Sequence, residues 1–220
     1  MKSRFLLLAA GFLGLPSCAT PPAPVATPRV GRVVLVHGFL DHGSVFDQLR
    51  KGLEKRGVTC YVPKLIPSDG RGGLKRLASN LRRDIDAEFG PKEPISIVAF
   101  SMGGLVSRYY LQDLGGAERC ENLITVSTPH HGTRAAFIYP TQGANDMRPG
   151  SPFLQGLETT EYRLGKMRVA SYRTPMDLVI LPPTSSIWDR AENFEYRVPL
   201  HPLMLNSKPV LSDIERRLLD

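Results

Sequence analysis

The chain has 220 residues, of which 42% are hydrophobic and 22% are charged, so its composition excludes a disordered or fibrous protein and predicts one globular domain. The formal net charge is +7, but the basic residues are scattered apart from a modest cluster at 75–83. That cluster indicates a solvated helix face, with attraction to anionic lipid headgroups as the alternative, and we expect no nucleic-acid partner.

The first 18 residues have the pattern of an export signal. Lys2 and Arg4 precede an apolar run at 5–15 that is too short to span a bilayer as a permanent anchor. The run ends in Leu15-Pro16-Ser17-Cys18, which resembles a bacterial lipobox, in which the cysteine is acylated; ordinary signal cleavage nearby is the alternative. Residues 19–29 are rich in Pro, Ala and Thr and predict a semi-extended tether. The folded domain is therefore expected at 30–220.

These features predict export from a bacterial cytoplasm. A lipid on Cys18 would hold the protein on a membrane, facing the periplasm or the cell surface, and secretion is the alternative. Removal of Lys2 and Arg4 with the signal lowers the formal charge to +5. Cys60 and Cys120 lie in or beside apolar runs that are predicted on opposite sides of the central strands, so both cysteines are expected to be free and buried. The chain shows no ligand spacing typical of zinc, so we expect neither a metal nor a cofactor.

From residue 30 onward, short β-branched runs alternate with amphipathic segments. We predict strands at 31–37, 58–63, 95–100, 122–127 and 178–181, and helices at 45–56, 74–89, after Ser101 through 111, and at 210–219. This order predicts an α/β fold, an open doubly wound and mainly parallel sheet with helices on both faces. The ligand site of such a sheet lies at the carboxyl ends of its strands.

The segment Ala99-Phe100-Ser101-Met102-Gly103 lies between a predicted buried strand and a helix. A nucleophile elbow occupies this position in hydrolases, and its tight turn needs small residues two positions before and after the serine, as Ala99 and Gly103 are. A serine that only caps the helix is the alternative, but it would not explain the small flanking pair. Ser101 is therefore the candidate nucleophile.

A second motif, His37-Gly38-Phe39, follows the first predicted strand. Acyl transfer needs two backbone N–H donors aimed at the developing oxyanion. We predict that Phe39 and Met102 provide them, and that His37 is a structural residue that holds the turn.

These motifs resemble the α/β-hydrolase superfamily, in particular its small, lid-poor bacterial triacylglycerol lipases and esterases. The resemblance runs through the segments at 33–39, 99–109 and 128–133. It implies the α/β-hydrolase fold and a triad in the chain order serine, acid, histidine. Ala99 replaces the usual glycine of Gly-x-Ser-x-Gly, as in small lid-less Bacillus-type lipases.

The resemblance also identifies the remaining triad members. Asp177 corresponds to the family's acid, on a turn leaving a late strand; Asp146 and Asp189 are the rivals. Of the five histidines, only His201 follows Asp177, and it precedes the last helix, where this superfamily keeps its base. In the segment Thr128-Pro129-His130-His131, the resemblance implies that the first histidine braces the floor of the site and that no metal binds there.

The predicted function is a serine carboxylic-ester hydrolase, a lipase or esterase. An apolar insertion at 133–162 could line an acyl pocket or form a small cap, which makes a medium or long acyl ester a plausible substrate. The expected partners are an ester or lipid substrate and, through Cys18, a membrane; the sequence leaves the oligomeric state open. The alternatives are a thioesterase or acyltransferase of the same fold, or a catalytically silent, surface-anchored binding protein.

Overall fold

The computed structural model describes residues 31–219. The predicted export signal at 1–18, with Cys18, and the predicted tether at 19–29 lie outside the described residues. Within the described range the chain forms a six-stranded sheet in which every neighbouring pair is parallel. Its strands are β1 (Arg32–Val36), β2 (Thr59–Tyr61), β3 (Ile95–Phe100), β4 (Cys120–Val126), β5 (Arg168–Arg173) and β6 (Glu192–Glu195).

Helices cover both faces of this sheet. The α-helices of the described range are α1 (Asp47–Glu54), α2 (Leu74–Phe89), α3 (Met102–Asp113), α4 (Gln142–Asp146), α5 (Pro152–Thr159) and α6 (Lys208–Leu219). The core on one face contains apolar side chains of α1 and α6, and the core on the other contains those of α2, α3 and α5. The predicted doubly wound α/β fold is therefore confirmed.

Alternating side chains of the strands build the two cores. In β1, Val33 and Leu35 pack on the side of α1 and α6, whereas Val34 and Val36 pack on the side of α2 and α3. All four side chains are fully buried. A parallel strand buried on both faces needs a continuous apolar run, which is why the sequence pattern identified this strand.

The strand order positions a crevice beside β1 and β3. In the order β2-β1-β3-β4-β5-β6, the chain first moves from β1 to β2 and then crosses back to β3 before continuing in the other direction. Doubly wound sheets bind ligands at such a reversal, outside the carboxyl ends of the strands. Phe39 follows β1 and Ser101 follows β3, so both candidate residues lie at this point.

The predicted strand at 178–181 is wrong, because this segment is a loop and the strand lies earlier, at β5. Side-chain oxygens accept the backbone N–H groups that would otherwise donate to a neighbouring strand. Asp177 Oδ1 accepts the N–H groups of Val179 and Ile180 at 2.9 and 2.8 Å, and Thr133 Oγ1 accepts that of Leu181 at 2.9 Å. The two Asp177 bonds are local, and local bonds from side chain to backbone compete with the hydrogen bonds of a β-ladder.

The edge strand β6 carries no alternating apolar pattern, because most of its residues are exposed, and the sequence did not predict it. Cys60 and Cys120 are both free, as expected, and they pack on opposite faces. Cys60 is only half-buried, however, because it lies on the short strand β2 near the other edge. None of the helices within residues 31–219 is both long and apolar enough to cross a bilayer.

Candidate active site

Ser101 occupies a sharp turn between β3 and α3. Its backbone has φ of +53° and ψ of −126°, a left-handed region that non-glycine residues enter at a cost of about 1–3 kcal/mol. The Ser101 N–H donates to the carbonyl oxygen of Val126 at 2.8 Å, which ties the turn to β4. The hydroxyl makes no capping hydrogen bond to α3. The helix-capping interpretation of this serine is therefore wrong.

Gly103 and Gly104, at the start of α3, must lack a side chain because other parts of the chain lie against them. A Cβ on Gly103 would come within 3.0 Å of the carbonyl oxygens of Val36 and His37, and a Cβ on Gly104 would collide with the side chain of Thr128. Real Cβ atoms do not approach so closely. The two glycines therefore allow α3 to start directly against β1 and the turn after β4.

The loop after β1 contacts the turn at Ser101. A Cβ on Gly38 would lie 2.9 Å from Ser101 Cβ, so the two loops touch. His37 is buried and holds the turn with both ring nitrogens: Nδ1 donates to the Gly38 carbonyl at 3.1 Å, and Nε2 accepts the N–H of Leu65 at 3.1 Å. Burial lowers the pKa of His37, which keeps the ring neutral. This geometry is the one expected for a structural histidine.

The two predicted oxyanion donors lie on either side of this contact. The Phe39 N–H has no acceptor among the described residues, and Phe39 and Ser101 line the same cavity. Met102 is the first residue of α3, where the N–H groups have no partner within the helix. The helix N-terminus carries a partial positive charge, which favours a nearby anion.

Asp177 and His201 form a buried pair. His201 Nδ1 donates to Asp177 Oδ2 at 2.8 Å, and less than a tenth of either side chain is exposed. Burial alone would raise the pKa of Asp177. The hydrogen bond from His201, the imidazole charge and two backbone N–H groups outweigh that effect, and the pKa falls below its ordinary value. Asp177 is therefore ionised at neutral pH.

The pair lies beside the turn that carries Ser101. The ring of Phe100, the residue immediately before Ser101, contacts the imidazole of His201 with ring centroids 4.7 Å apart. The structure therefore brings together Phe100 and His201, which are 101 positions apart in the chain. The rival acids are elsewhere: Asp146 accepts the N–H of Leu74 at the start of α2 at 2.8 Å, and Asp189 is exposed.

A buried arginine that the sequence analysis did not single out lies next to the turn after β4. Arg108 of α3 is 2% exposed; its guanidinium lies 4.2 Å from the ring centroid of Trp188 and 3.3 Å from His130 Nδ1. Glu161 supplies a carboxylate at 3.4 Å. Burial lowers the pKa of Arg108 to about 10, against the opposing charges of two glutamates. The sequence pattern of this helix does not predict that a charged residue within it is buried and paired.

His130 joins this cluster to β4. Its Nε2 lies 3.1 Å from Thr125 Oγ1, and its ring stacks on Trp188 with centroids 4.4 Å apart. Burial, followed by the charge of Arg108, lowers the pKa of His130 far below its ordinary value. The ring therefore stays neutral and braces the turn after β4. Within residues 31–219, no group of three or more His, Cys, Asp or Glu side chains could hold a metal ion.

A small cavity of about 50 Å³ lies directly beside Ser101. The loops after β1, β4 and β5 supply its walls, which include Phe39, Pro129, Ala136, Tyr139, Met147 and Val179. A larger groove of about 470 Å³ lies at the amino ends of β4, β5 and β6 and contains four arginines. That groove is at the opposite edge of the sheet from Ser101, so the smaller cavity is the one that serves the candidate site.

Known proteins support the fold. Residues 31–186 match the family described as alpha/beta hydrolase fold. The structure is similar to the mature form of the Bacillus licheniformis lipase BlEst2, with a TM-score of 0.72 and 16% identity over 91% of this chain and 95% of that one. It is also similar to Aspergillus fumigatus lipase B, with a TM-score of 0.64 and 14% identity over 84% of this chain and 52% of that one.

One curated protein matches by sequence. The chain is 28% identical over 130 residues to the ACT domain-containing protein ACR1 of Arabidopsis thaliana. The match spans 57% of this chain but only 26% of that protein. It therefore covers about a quarter of a much longer chain.

Proposed function

Because the chain belongs to the α/β-hydrolase fold family, we propose that it is a serine hydrolase that cleaves carboxylic esters through an acyl-enzyme intermediate. Ser101 is the nucleophile, His201 is the general base and Asp177 orients His201. One observation carries this proposal: the buried hydrogen bond of 2.8 Å between His201 and Asp177, formed beside the strained turn at Ser101.

In the first half of the reaction, His201 Nε2 takes the proton of Ser101 Oγ while Oγ bonds to the ester carbonyl carbon. Asp177 remains ionised because its pKa is lowered, so it stabilises the imidazolium and holds Nδ1 protonated. The bond between the carbonyl carbon and the alcohol oxygen then breaks. The alcohol leaves with the proton that His201 carried, and the acyl group stays on Ser101.

In the second half, water replaces the alcohol. His201 takes a proton from the water while its oxygen bonds to the acyl carbon, and Ser101 Oγ leaves and regains the proton from His201. Both halves pass through an oxyanion, which the N–H groups of Phe39 and Met102 stabilise. The loss of one such donor typically raises the barrier by about 2.7–4 kcal/mol.

A fluorophosphonate probe tests this proposal, because it bonds covalently to the oxygen of an activated serine. We expect the folded protein to be labelled and the label to map to the peptide containing Ser101. Heat-denatured protein is the control and should not react, because activation needs His201 beside the serine. Folded protein that stays unlabelled would overturn the proposal and favour the silent binding protein.

Assays with ester and thioester substrates then distinguish an esterase from a thioesterase or an acyltransferase that uses the same serine. We expect the labelled enzyme to release acid from p-nitrophenyl esters in water. Faster turnover of matched thioesters, or acyl transfer to an added alcohol in preference to water, would favour the thioesterase or acyltransferase instead.

We also propose that the protein is exported from a bacterial cytoplasm and anchored by a lipid on Cys18. The charged start, the short apolar run and the lipobox-like ending support this proposal. The full chain expressed in a bacterium should incorporate radiolabelled palmitate and sediment with membranes, whereas Cys18→Ser should do neither. Label that persists in Cys18→Ser, or wild-type protein that is exported without label, would contradict the anchor.

A further inference from the structure

The cavity beside Ser101 can take only one half of an ester. His201 must give its proton to the departing alcohol oxygen, so the alcohol half lies on the side of His201. The cavity is lined by Ser101 and Phe39, but neither His201 nor Asp177 belongs to its walls. The half that enters the cavity is therefore the acyl half.

The volume of the cavity fits a short acyl chain. Its volume is about 50 Å³, and a water-sized group needs about 10–15 Å³ of such volume, so roughly four such groups fit. Phe39 and Tyr139 meet edge to face above it with ring centroids 5.0 Å apart. Ala144 and Met147 lie at the cavity and are buried. The walls are almost entirely apolar, which suits a hydrocarbon chain.

The helix that carries Ala144 is held in place, so the cavity has little freedom to lengthen. The Gly143 N–H donates to the Gly70 carbonyl oxygen at 2.8 Å, and a Cβ on Gly143 would lie 2.8 Å from that oxygen. Asp146 at the end of the same helix accepts the N–H of Leu74. Backbone packing and a helix-terminal hydrogen bond therefore fix α4 against the start of α2.

The alcohol side is open and apolar. Within residues 31–219, eleven large hydrophobic side chains are exposed, and ten of them lie in loops that leave the carboxyl ends of strands. The loops that carry Asp177 and His201 contribute five of them, of which Val179 lines the cavity. The other four, which we call the base-side rim, are Met176, Leu178, Leu200 and Leu203. A bulky apolar alcohol leaving beside His201 would lie against this rim, and the contact would bury apolar surface of both the alcohol and the rim.

We propose that the enzyme selects esters that join a short acyl group, of about four carbons, to a large apolar alcohol. This inference rests on the proposed function, and it differs from the medium or long acyl chain that the sequence made plausible. The small volume of the cavity limits the acyl half, and the base-side rim favours a large apolar alcohol half.

Two isomeric esters test the proposal directly: octyl butanoate and butyl octanoate. They have the same composition and the same carbon chains and differ only in which half is long. We expect kcat/KM to be at least about tenfold higher for octyl butanoate, because one methylene that does not fit an apolar pocket typically costs about tenfold or more. Acid release in a pH-stat measures both. Equal rates, or a preference for butyl octanoate, would overturn the acyl assignment.

Met147→Ala should widen the cavity and raise kcat/KM for butyl octanoate relative to octyl butanoate. Met167→Ala is the matched control, because Met167 is equally buried but lies at the amino end of β5, outside the cavity. The control should keep the wild-type ratio. A shift of the ratio in both variants, or in neither, would contradict the role of the cavity. Thermal unfolding of both variants shows that each is folded when assayed.

Leu178→Ser tests the rim. It should lower kcat/KM for octyl butanoate severalfold more than for ethyl butanoate, whereas Tyr162→Ser, at an exposed side chain before β5, should change neither. Equal losses for both esters would overturn the rim assignment.

Two further outcomes separate this proposal from the proposed function. Hydrolysis of p-nitrophenyl butanoate without hydrolysis of either isomeric ester would overturn the proposed preference for a large apolar alcohol. Failure to hydrolyse any ester, with no fluorophosphonate label, would instead overturn the proposed function.

Discussion

Ser101→Ala should lower kcat for p-nitrophenyl butanoate by about 10⁵- to 10⁶-fold, because alanine has no oxygen to carry the acyl group. The substrate should still bind, since Phe39, Met147 and the other cavity walls are unchanged. Residual turnover comes from the oxyanion donors and binding alone and stays about 10³–10⁴ above the uncatalysed rate. Initial rates at saturating ester measure this loss.

Ser107→Ala is the matched control for that loss. Ser107 lies on the same helix, is fully buried, and its hydroxyl has no hydrogen-bond partner among the described residues. Its removal should therefore leave kcat close to the wild-type value. If Ser101→Ala retained more than about one part in a hundred of the activity, another residue would be the nucleophile.

Asp177→Asn should lower kcat by about 10⁴-fold and change KM little. The asparagine keeps the shape of the side chain but offers an uncharged amide to His201, so it neither stabilises the imidazolium nor holds Nδ1 protonated. The wild-type carboxylate does both through the bond of 2.8 Å. Titration of kcat against pH with purified variant and wild-type enzyme measures the effect.

Asp189→Asn is the corresponding control, since Asp189 is exposed and follows β5 as Asp177 does. It should behave as wild type. A large loss in Asp189→Asn together with near-normal activity in Asp177→Asn would reassign the acid. Parallel losses in both, accompanied by a lower unfolding temperature, would indicate a folding defect instead.

Much of the fold was predictable because each central strand can be identified from its own hydrophobic pattern. β3 lies at 95–100 and α2 at 74–89, both as predicted. A strand buried on both faces is a continuous apolar run in the sequence, and a helix with one apolar stripe has apolar residues every three or four positions. The apolar run at 178–181 misled the prediction because Asp177 and Thr133 bind its backbone. Their side chains make the run a loop.

The site was predicted from motif and chain order, and the catalytic roles of Ser101, Asp177 and His201 stay predictions that the substitutions above test. The structure adds two contacts: Asp177 bonds to His201, and the ring of Phe100, the residue before Ser101, packs against that imidazole. Arg108 was missed because its partners, Trp188 and Glu161, are more than 50 residues away in the chain.

The sequence by itself determined the alternation of strands and helices, the sharp turn at Ser101 and the small residues that the turn needs. These depend on neighbours in the chain, because periodicity and Cβ size act over a few residues. Only the tertiary structure decided how far the cavity extends. Two of its walls are held by Gly143 packing against Gly70, next to the cavity residue Ala144, and by Tyr139 meeting Phe39. Contacts between such distant residues exist only once the sheet has assembled.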